Sequence, residues 1–460
     1  MRVALIGENS IGYINALIDI WNKGDCAVLI DWRIPFSTAI EMMNEADVRV
    51  CYIEKEIFDK LQTENLNNIR FITYEKQNSS AELLPNCIYE KFHENYSRNE
   101  AVVIYSSGTT GKSKGVILSH YAINTNADAI IDYIGPTKED CFYIVKTISH
   151  ASSLTGELLV SLKSRIPLVI APIIVPPRYT LANIKKYKVT TICINPTLLQ
   201  MYADEVMRNP TKYDLSSLKE IYVHGAKAST RLCKLADEVF ISCSVYYEYG
   251  LTEAGPRVAT QKNRSKDKFS VGQPIKNVQI MIVDDAGEIL TEEEYGNIYV
   301  KTPSVYSGYV HGEPKCVSLH EGWLNTGDIG FLDKHKELHV VGRADDVLNI
   351  HAHKIYPSDV EKQIMKYAQI KECAVAKIEL NSNECIGCLY VSEKEVDRSI
   401  REILKTKLLA YEIPSFFLRC DVLPRTKNGK VSMREVQACL KEYISQEKKY
   451  DDRDNKARSN

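Results

Sequence analysis

Residues 101–120, Ala-Val-Val-Ile-Tyr-Ser-Ser-Gly-Thr-Thr-Gly-Lys-Ser-Lys-Gly-Val-Ile-Leu-Ser-His, constrain this chain more than any other stretch. The apolar, β-branched run Ala101 to Tyr105 reads as a buried strand. Ser106 to Gly115 then mix glycines, hydroxyls and the lysines Lys112 and Lys114. Glycines let backbone N–H groups turn towards an anion, hydroxyls add donors, and lysines add positive charge. A helical pattern begins at Ser119-His120. A strand, a phosphate cradle and a helix is nucleotide-handling architecture. The loop is not a Walker A motif, which needs a glycine five residues before Gly-Lys-Ser, where this chain has Ser106.

With 460 residues, the chain can hold more than one domain. Hydrophobic residues at 44% and charged residues at 26% make an ordinary globular mixture, and a net charge of -2 gives no bulk attraction for nucleic acid or an anionic membrane. Glu8 and Asp19 interrupt the N-terminal apolar stretch, so no signal peptide is read there. The 13 cysteines follow no spaced framework, and reduced thiols in a cytoplasmic protein are expected. Cys385-Ile-Gly-Cys388 lies in a strand-like run with no second pair and reads as structural. His351-Ala-His353 has no acidic or cysteine partner nearby in sequence to complete a metal site. The most apolar segment, Ile166 to Pro177, is short, broken by prolines, and cannot span a membrane.

Strand-like and helix-like patterns alternate over the first residues: Arg2 to Ile6, Ile11 to Trp21, Ala27 to Asp31, Pro35 to Glu45 and Val48 to Ile53. This rhythm predicts a parallel sheet covered by helices. Residues 76–98 are polar and read as a surface excursion. Asn195-Pro-Thr197 reads as a turn opening a helix, and Ile221 to Val223 as a strand running into a tight loop. Beyond Asp346 the pattern changes to a small α+β unit. It has helices over Ser358 to Tyr367 and Asp397 to Leu409, and strands over Cys373 to Ile378, Gly387 to Val391 and Phe416 to Val422. Glu447 to Asn460 are charged and read as disordered.

Ser106-Ser-Gly-Thr-Thr-Gly-Lys-Ser-Lys-Gly115 resembles the phosphate loop of the adenylate-forming superfamily, which includes acyl- and aryl-CoA synthetases, luciferases and peptide-synthetase adenylation domains. Further motifs follow in that family's order. Trp21-Asn-Lys-Gly24 with Asp31 falls where a Lys-Ala-Gly…Asp-Pro pattern is usual, and a front segment carrying the family's first strand is expected to be missing. Tyr249-Gly-Leu-Thr-Glu253 is similar to the family's Tyr-Gly-x-Thr-Glu. Trp323-Leu-Asn-Thr-Gly-Asp328, Gly342-Arg343-Ala-Asp345 and Pro424-Arg-Thr-Lys-Asn-Gly-Lys430 continue the series, with Gly272-Gln-Pro274 and Gly308-Tyr309 as weaker matches.

The resemblance implies an α/β protein with a large N-terminal domain of helix-covered β-sheets, residues 1–344. A small mobile C-terminal α+β domain, residues 345–445, and a tail, 446–460, complete it. It implies an ATP site of Ser106, Ser107, Gly108, Thr109, Thr110, Lys114, Gly225, Ala226, Lys227, Tyr247, Glu248, Tyr249, Gly250, Leu251, Thr252, Asp328, Arg343 and Lys430. Tyr249 would stack on adenine, Thr252 meet the α-phosphate, and Asp328 accept the ribose hydroxyls. Arg343 would lie on ribose or phosphate. Lys227 and Ala228 alter the adenine wall, and Tyr247 stands where an amide or aspartate usually meets the adenine amine. Lys430, His150 and Thr252 are the implied catalytic residues, and Glu253 the implied Mg²⁺ ligand. His150, Tyr222 and Gly250 would contact the acid. Asp345 would be the hinge, and Ala352 would line the thiol tunnel where a glycine is usual.

The implied reaction joins a carboxylic acid to ATP as an acyl-adenylate and then passes the acyl group to CoA. His150 and Ala151 supply no carboxylate for an ammonium group, which disfavours a free amino acid and points to a fatty or aromatic acid. Transfer to the phosphopantetheine of an acyl carrier protein is the neighbouring alternative. A non-catalytic nucleotide-binding protein is the alternative of another class, opposed by retention of Lys114, Glu253, Asp328, Arg343 and Lys430.

Overall fold

A computed structural model describes residues 1–61, 68–107, 113–171, 176–263, 270–311, 319–350, 353–380, 383–425 and 431–444. A seven-stranded sheet runs, edge to edge, Gly308–Tyr309, Ser113–Ser119, Glu100–Ser107, Cys26–Asp31, Arg2–Gly7, Val50–Glu54 and Arg70–Tyr74. From Glu100–Ser107 to Arg70–Tyr74 its neighbours are parallel, as the alternating pattern predicts. Strand residues divide by period two: Val3 and Leu5 join one apolar cluster, Ala4 and Ile6 another on the opposite face. An eight-stranded sheet, Gln273–Pro274, Ala259–Thr260, Ser244–Tyr249, Glu220–Val223, Thr191–Ile194, Phe142–Ile144, Leu168–Ile170 and Glu82–Leu83, stands beside it.

Between the two sheets lie the helices Ile11–Asn22 and His120–Ile134 and the helical run 151–164, whose apolar residues share one cluster with strands of both sheets. Their starts are written in the sequence: Ser10 and Ser119 cap the first two by accepting from the N–H groups of Tyr13 and Ala122. Asn195 likewise caps Pro196–Arg208, accepting from Leu198 N–H at 2.8 Å, as the Asn-Pro-Thr turn predicts. A third sheet contains Gln279–Val283, Gly296–Lys301, Leu319–His320, Trp323–Leu332 and Leu338–Arg343. The C-terminal part has its own sheets: the hairpin Leu348–Ile350/His353–Ile355, and the strands Ile370–Leu380, Asn383–Ser392 and Phe416–Cys420. Helices Pro357–Ile364 and Asp397–Leu404 accompany them, and two apolar clusters there draw only on residues 348–444.

Two expectations change. The chain leaves the phosphate loop as the strand Ser113–Ser119, antiparallel to Glu100–Ser107, and the helix then starts at His120 as expected. Val116, Ile117 and Leu118 are β-formers buried on both faces, so Ser113 to Gly115 extend a hairpin arm and not the loop. The excursion over residues 76–98 is anchored: Glu82–Leu83 pairs with Leu168–Ile170, and Ile88 and Tyr89 are buried. Cys385 and Cys388 occur on one strand but join different apolar clusters, so their thiols face opposite sides and do not form a chelating pair. Among the described residues, no helix is long and apolar enough to cross a membrane.

Asn9 joins the two sheets. It is 2% exposed, donates to the Lys146 carbonyl at 2.5 Å and accepts from Ile148 N–H at 2.9 Å. Its amide thereby fixes the segment that carries His150. Asn9→Ala leaves both backbone groups unpaired, so a loss of about 1–3 kcal/mol in urea-unfolding free energy is expected.

Candidate active site

The phosphate-loop hairpin is the first wall. Ser106 stands opposite Lys114, and Tyr105 opposite Gly115. Gly308–Tyr309 pairs with the outer arm, Tyr309 opposite Val116, and the Tyr309 hydroxyl donates to Glu253 at 2.8 Å. The implied metal ligand is therefore tied to the strand that leaves the phosphate loop. Thr252 and Glu253 share the short helical turn Thr252–Ala254, whose following segment is clamped from behind. Asn126, 1% exposed, donates to the Arg257 carbonyl at 2.9 Å and accepts from Arg257 N–H at 3.0 Å. Gly250 admits no side chain: a Cβ there would lie 1.8 Å from the Pro256 carbonyl oxygen.

Asp328 and Arg343 are directly opposite each other in the hairpin Trp323–Leu332/Leu338–Arg343. Arg343 donates to Asp328 Oδ1 at 3.0 Å and to the Thr326 carbonyl at 3.1 Å. The Tyr249 hydroxyl donates to Asp328 Oδ2 at 2.5 Å. An ionised carboxylate has about four lone-pair sites, so these two partners leave acceptor capacity for vicinal hydroxyls. Burial, with the Asp328 charge beside it, pushes the Tyr249 phenol well above its ordinary range and keeps it a donor. Tyr249 thus links the residue meant for adenine to the residue meant for ribose.

His150 immediately precedes the helical run 151–164 and is half-buried, near Asp31 at the end of Cys26–Asp31. Burial raises the Asp31 carboxyl, but the hydrogen bonds of Arg33 outweigh it, aided by His150, so Asp31 titrates below its ordinary value. Behind His150 the helix contains a π turn, Leu154–Leu159, a feature that gathers at functional sites. Glu157 within that turn is 1% exposed, and Lys146 Nζ reaches it at 3.0 Å. Lys146 also donates to the Cys193 carbonyl at 2.8 Å and lies 3.0 Å from His224 Nε2.

Several implied site residues are placed elsewhere. Glu248 has a side chain 0% exposed, ion-paired with Arg257 at 2.7 Å and accepting from the Tyr133 hydroxyl at 2.5 Å. Its carboxylate is a core charge and does not line an ATP site. Burial disfavours a charged Arg257, and Glu248 overrides it, holding the guanidinium protonated. Tyr247 packs into the cluster under the helix Thr230–Val239, near Cys233, a cluster that Ala228 also joins. Tyr222 is 0% exposed, its ring 5.5 Å from that of Tyr246 and its hydroxyl on Glu220, so it backs the wall without lining it. Strand alternation accounts for Glu248, which points to the face opposite Tyr247.

Gly225, Ala226 and Lys227 form the exposed loop after Glu220–Val223, with Gly225 at φ +90°. Leu251 is half-buried, and Asp345 is exposed in the turn Ala344–Asp346. Gly108, Thr109, Thr110, Ala352, Lys430 and the tail lie outside the described residues, as does the side chain of Ser107. Asn9, Asn126, Tyr133, Arg257 and Tyr309 were not singled out as site residues from sequence. Asn126 carried a signal, a polar residue on the apolar face of a helix; the others needed the fold.

A family model described as AMP-binding enzyme matches residues 1–310. The chain belongs to that family. A 2-succinylbenzoate–CoA ligase from Bacillus mycoides (strain KBAB4) is 28% identical over 449 residues, spanning 96% of this chain and 89% of that enzyme. A 4-coumarate–CoA ligase from Pinus taeda is 26% identical over 356 residues, 73% of this chain, and the match covers 65% of that enzyme. The fold is that of the Bacillus subtilis o-succinylbenzoate CoA synthetase solved with the acyl-adenylate OSB-AMP. The TM-score is 0.78 at 23% identity, over 95% of this chain and 88% of that one.

Arg257→Met leaves Glu248 buried without its counter-charge, and an unfolding free energy lower by about 3–5 kcal/mol is expected. Glu248→Gln added to Arg257→Met removes the orphan charge and recovers part of the loss, checked by denaturant unfolding of all three variants.

Proposed function

We propose that this AMP-binding enzyme activates a non-amino carboxylic acid, aromatic or fatty, with ATP and passes the acyl group to CoA. The observation that carries the reading is the Asp328 carboxylate, held between Arg343 and Tyr249 with acceptor capacity left over. That is a ribose-diol acceptor built next to a phosphate-loop hairpin, and a ligand with both groups is a nucleotide. His150 near Asp31 offers no carboxylate of its own for an α-ammonium. The names of the two relatives favour aromatic acids over fatty ones.

In this reading the division falls at residues 1–344 and 345–445. Ser106 and Lys114, with Gly108, Thr109 and Thr110, cradle phosphates, and Lys430 from the small domain meets charge developing between carboxylate and phosphate. Glu253 suits Mg²⁺, which takes one or two carboxylates plus phosphate and water oxygens. Tyr309 fixes its carboxylate, and no group of three or more His, Cys, Asp or Glu side chains among the described residues offers an all-protein cage. Bound there, the cation would lower the repulsion between the anionic acid and the triphosphate. His150 orients the acid, and Thr252 donates at the α-phosphate. Rotation of the small domain about Asp345 then presents Ala352 to the incoming thiol. The cytoplasm, with its supply of ATP and CoA, is the compartment.

The test is acid-dependent ATP–pyrophosphate exchange over fatty, aromatic and amino acids, followed by thioester formation with CoA or a carrier protein. Exchange with aromatic acids, a loss of about 10²–10³-fold in Lys430→Ala, and thioester with CoA are expected. Exchange confined to amino acids, or none with any acid, overturns the reading; thioester only on a carrier protein moves the acceptor to the phosphopantetheine arm. Asp328→Asn is expected to raise the KM for ATP, with exchange at saturating ATP less affected, because the neutral amide loses one strong acceptor.

A further inference from the structure

The small domain meets the large one through a column of rings. His339 and Phe331 stack at 4.5 Å with 4° between planes, and Phe331 stacks on Tyr295 at 5.0 Å and 12°. The first three rings belong to the third sheet or its approach: His339 and Phe331 face each other across Trp323–Leu332/Leu338–Arg343, and Tyr295 precedes Gly296–Lys301. The fourth ring is Tyr356, which meets Tyr295 edge-on at 5.0 Å and 74° and immediately precedes the small-domain helix Pro357–Ile364. That helix also carries Asp359 and Glu361, which interact electrostatically with Lys227 on the loop after Glu220–Val223. Glu361 is anchored on its own side, its carboxylate accepting from Val375 N–H at 2.9 Å. One short helix is thus held at its start by a ring.

We propose that Tyr356, seated on Tyr295, is a positioning residue that holds the small domain in one of its two working orientations. The inference rests on the proposed two-step reaction, because only an enzyme whose small domain must turn gains from a contact that can be made and broken. The physical case is one of scale. An edge-to-face ring pair adds a modest increment beyond its buried area, enough to bias an equilibrium between two orientations and too little to lock it. The two stacked rings beneath Tyr295, Phe331 and His339, keep the seat in place when Tyr356 leaves. Loss of the contact therefore lowers one orientation and raises the other, and the two half-reactions move in opposite directions.

The test compares the full-length chain with Tyr356→Ala, Tyr356→Phe, Tyr295→Ala and the double Tyr295→Ala/Tyr356→Ala. Two rates are read: ATP–pyrophosphate exchange, and single-turnover thioester formation from adenylate accumulated before CoA is added. Amide hydrogen exchange of residues 357–364 is read in the same proteins without any substrate. Tyr356→Ala is expected to change the ratio of the two rates by about three- to tenfold, one falling and the other holding or rising. Faster amide exchange in the helix should accompany it. Tyr356→Phe keeps the ring and the wild-type ratio, Tyr295→Ala reproduces the shift, and the double variant adds nothing further. Both rates falling together, or an unchanged ratio and unchanged amide exchange in both alanine variants, overturns the proposal. A wild-type chain that exchanges with no acid instead overturns the function, while the amide-exchange comparison still reports whether Tyr356 docks the helix.

Discussion

The ion pair of Glu248 and Arg257 is the interaction on which the site depends. Both side chains are almost wholly excluded from water, at 0% and 3% exposure. Neither charge is tolerable there alone, so the strand Ser244–Tyr249 and the segment around Arg257 are obliged to stay together. The turn bearing Thr252 and Glu253 lies between them in sequence and is closed into a loop by that obligation. Tyr133 and Asn126, on one helix, complete the closure, one on the Glu248 carboxylate and the other on the Arg257 backbone. Lys146 and Glu157 repeat the arrangement a short distance away, so the buried acids and bases around the seam are matched in number.

Much of the architecture was legible because it rests on local chemistry. The alternation of β-branched strands with capped helices predicted the parallel sheet, and Ser10, Ser119 and Asn195 cap helices that periodicity located. The site was legible where a motif's residues do their work through local geometry, as Asp328 and Arg343 do across one hairpin. It was illegible where facing matters. Tyr247 and Glu248 stand in the same signature as Tyr249, yet one enters the outer core, one a buried ion pair, and only Tyr249 reaches Asp328. Long-range partners were illegible for a different reason: no spacing rule relates Asn9 to the 146–148 segment, or Tyr309 to Glu253.

The nucleotide-side residues and the domain contact occupy different kinds of structure. Asp328 and Arg343 sit on paired strands, where register fixes distance, while Tyr356 meets Tyr295 through a ring contact alone. A contact fixed by register and a contact that can be made and broken would suit the proposed two-step reaction.

The π turn Leu154–Leu159 has a consequence for how the helix after His150 can vary. A helix that accommodates one surplus residue is out of phase before and after the surplus by about 100°. Excising a single residue there would give a more regular cylinder, and every side chain on one side of the cut would swing to a different compass bearing. Glu157 would no longer point at Lys146, or His150 at Asp31, depending on which half yielded. Insertions and deletions in this segment therefore act as rotations, a change of bearing that substitution alone does not offer.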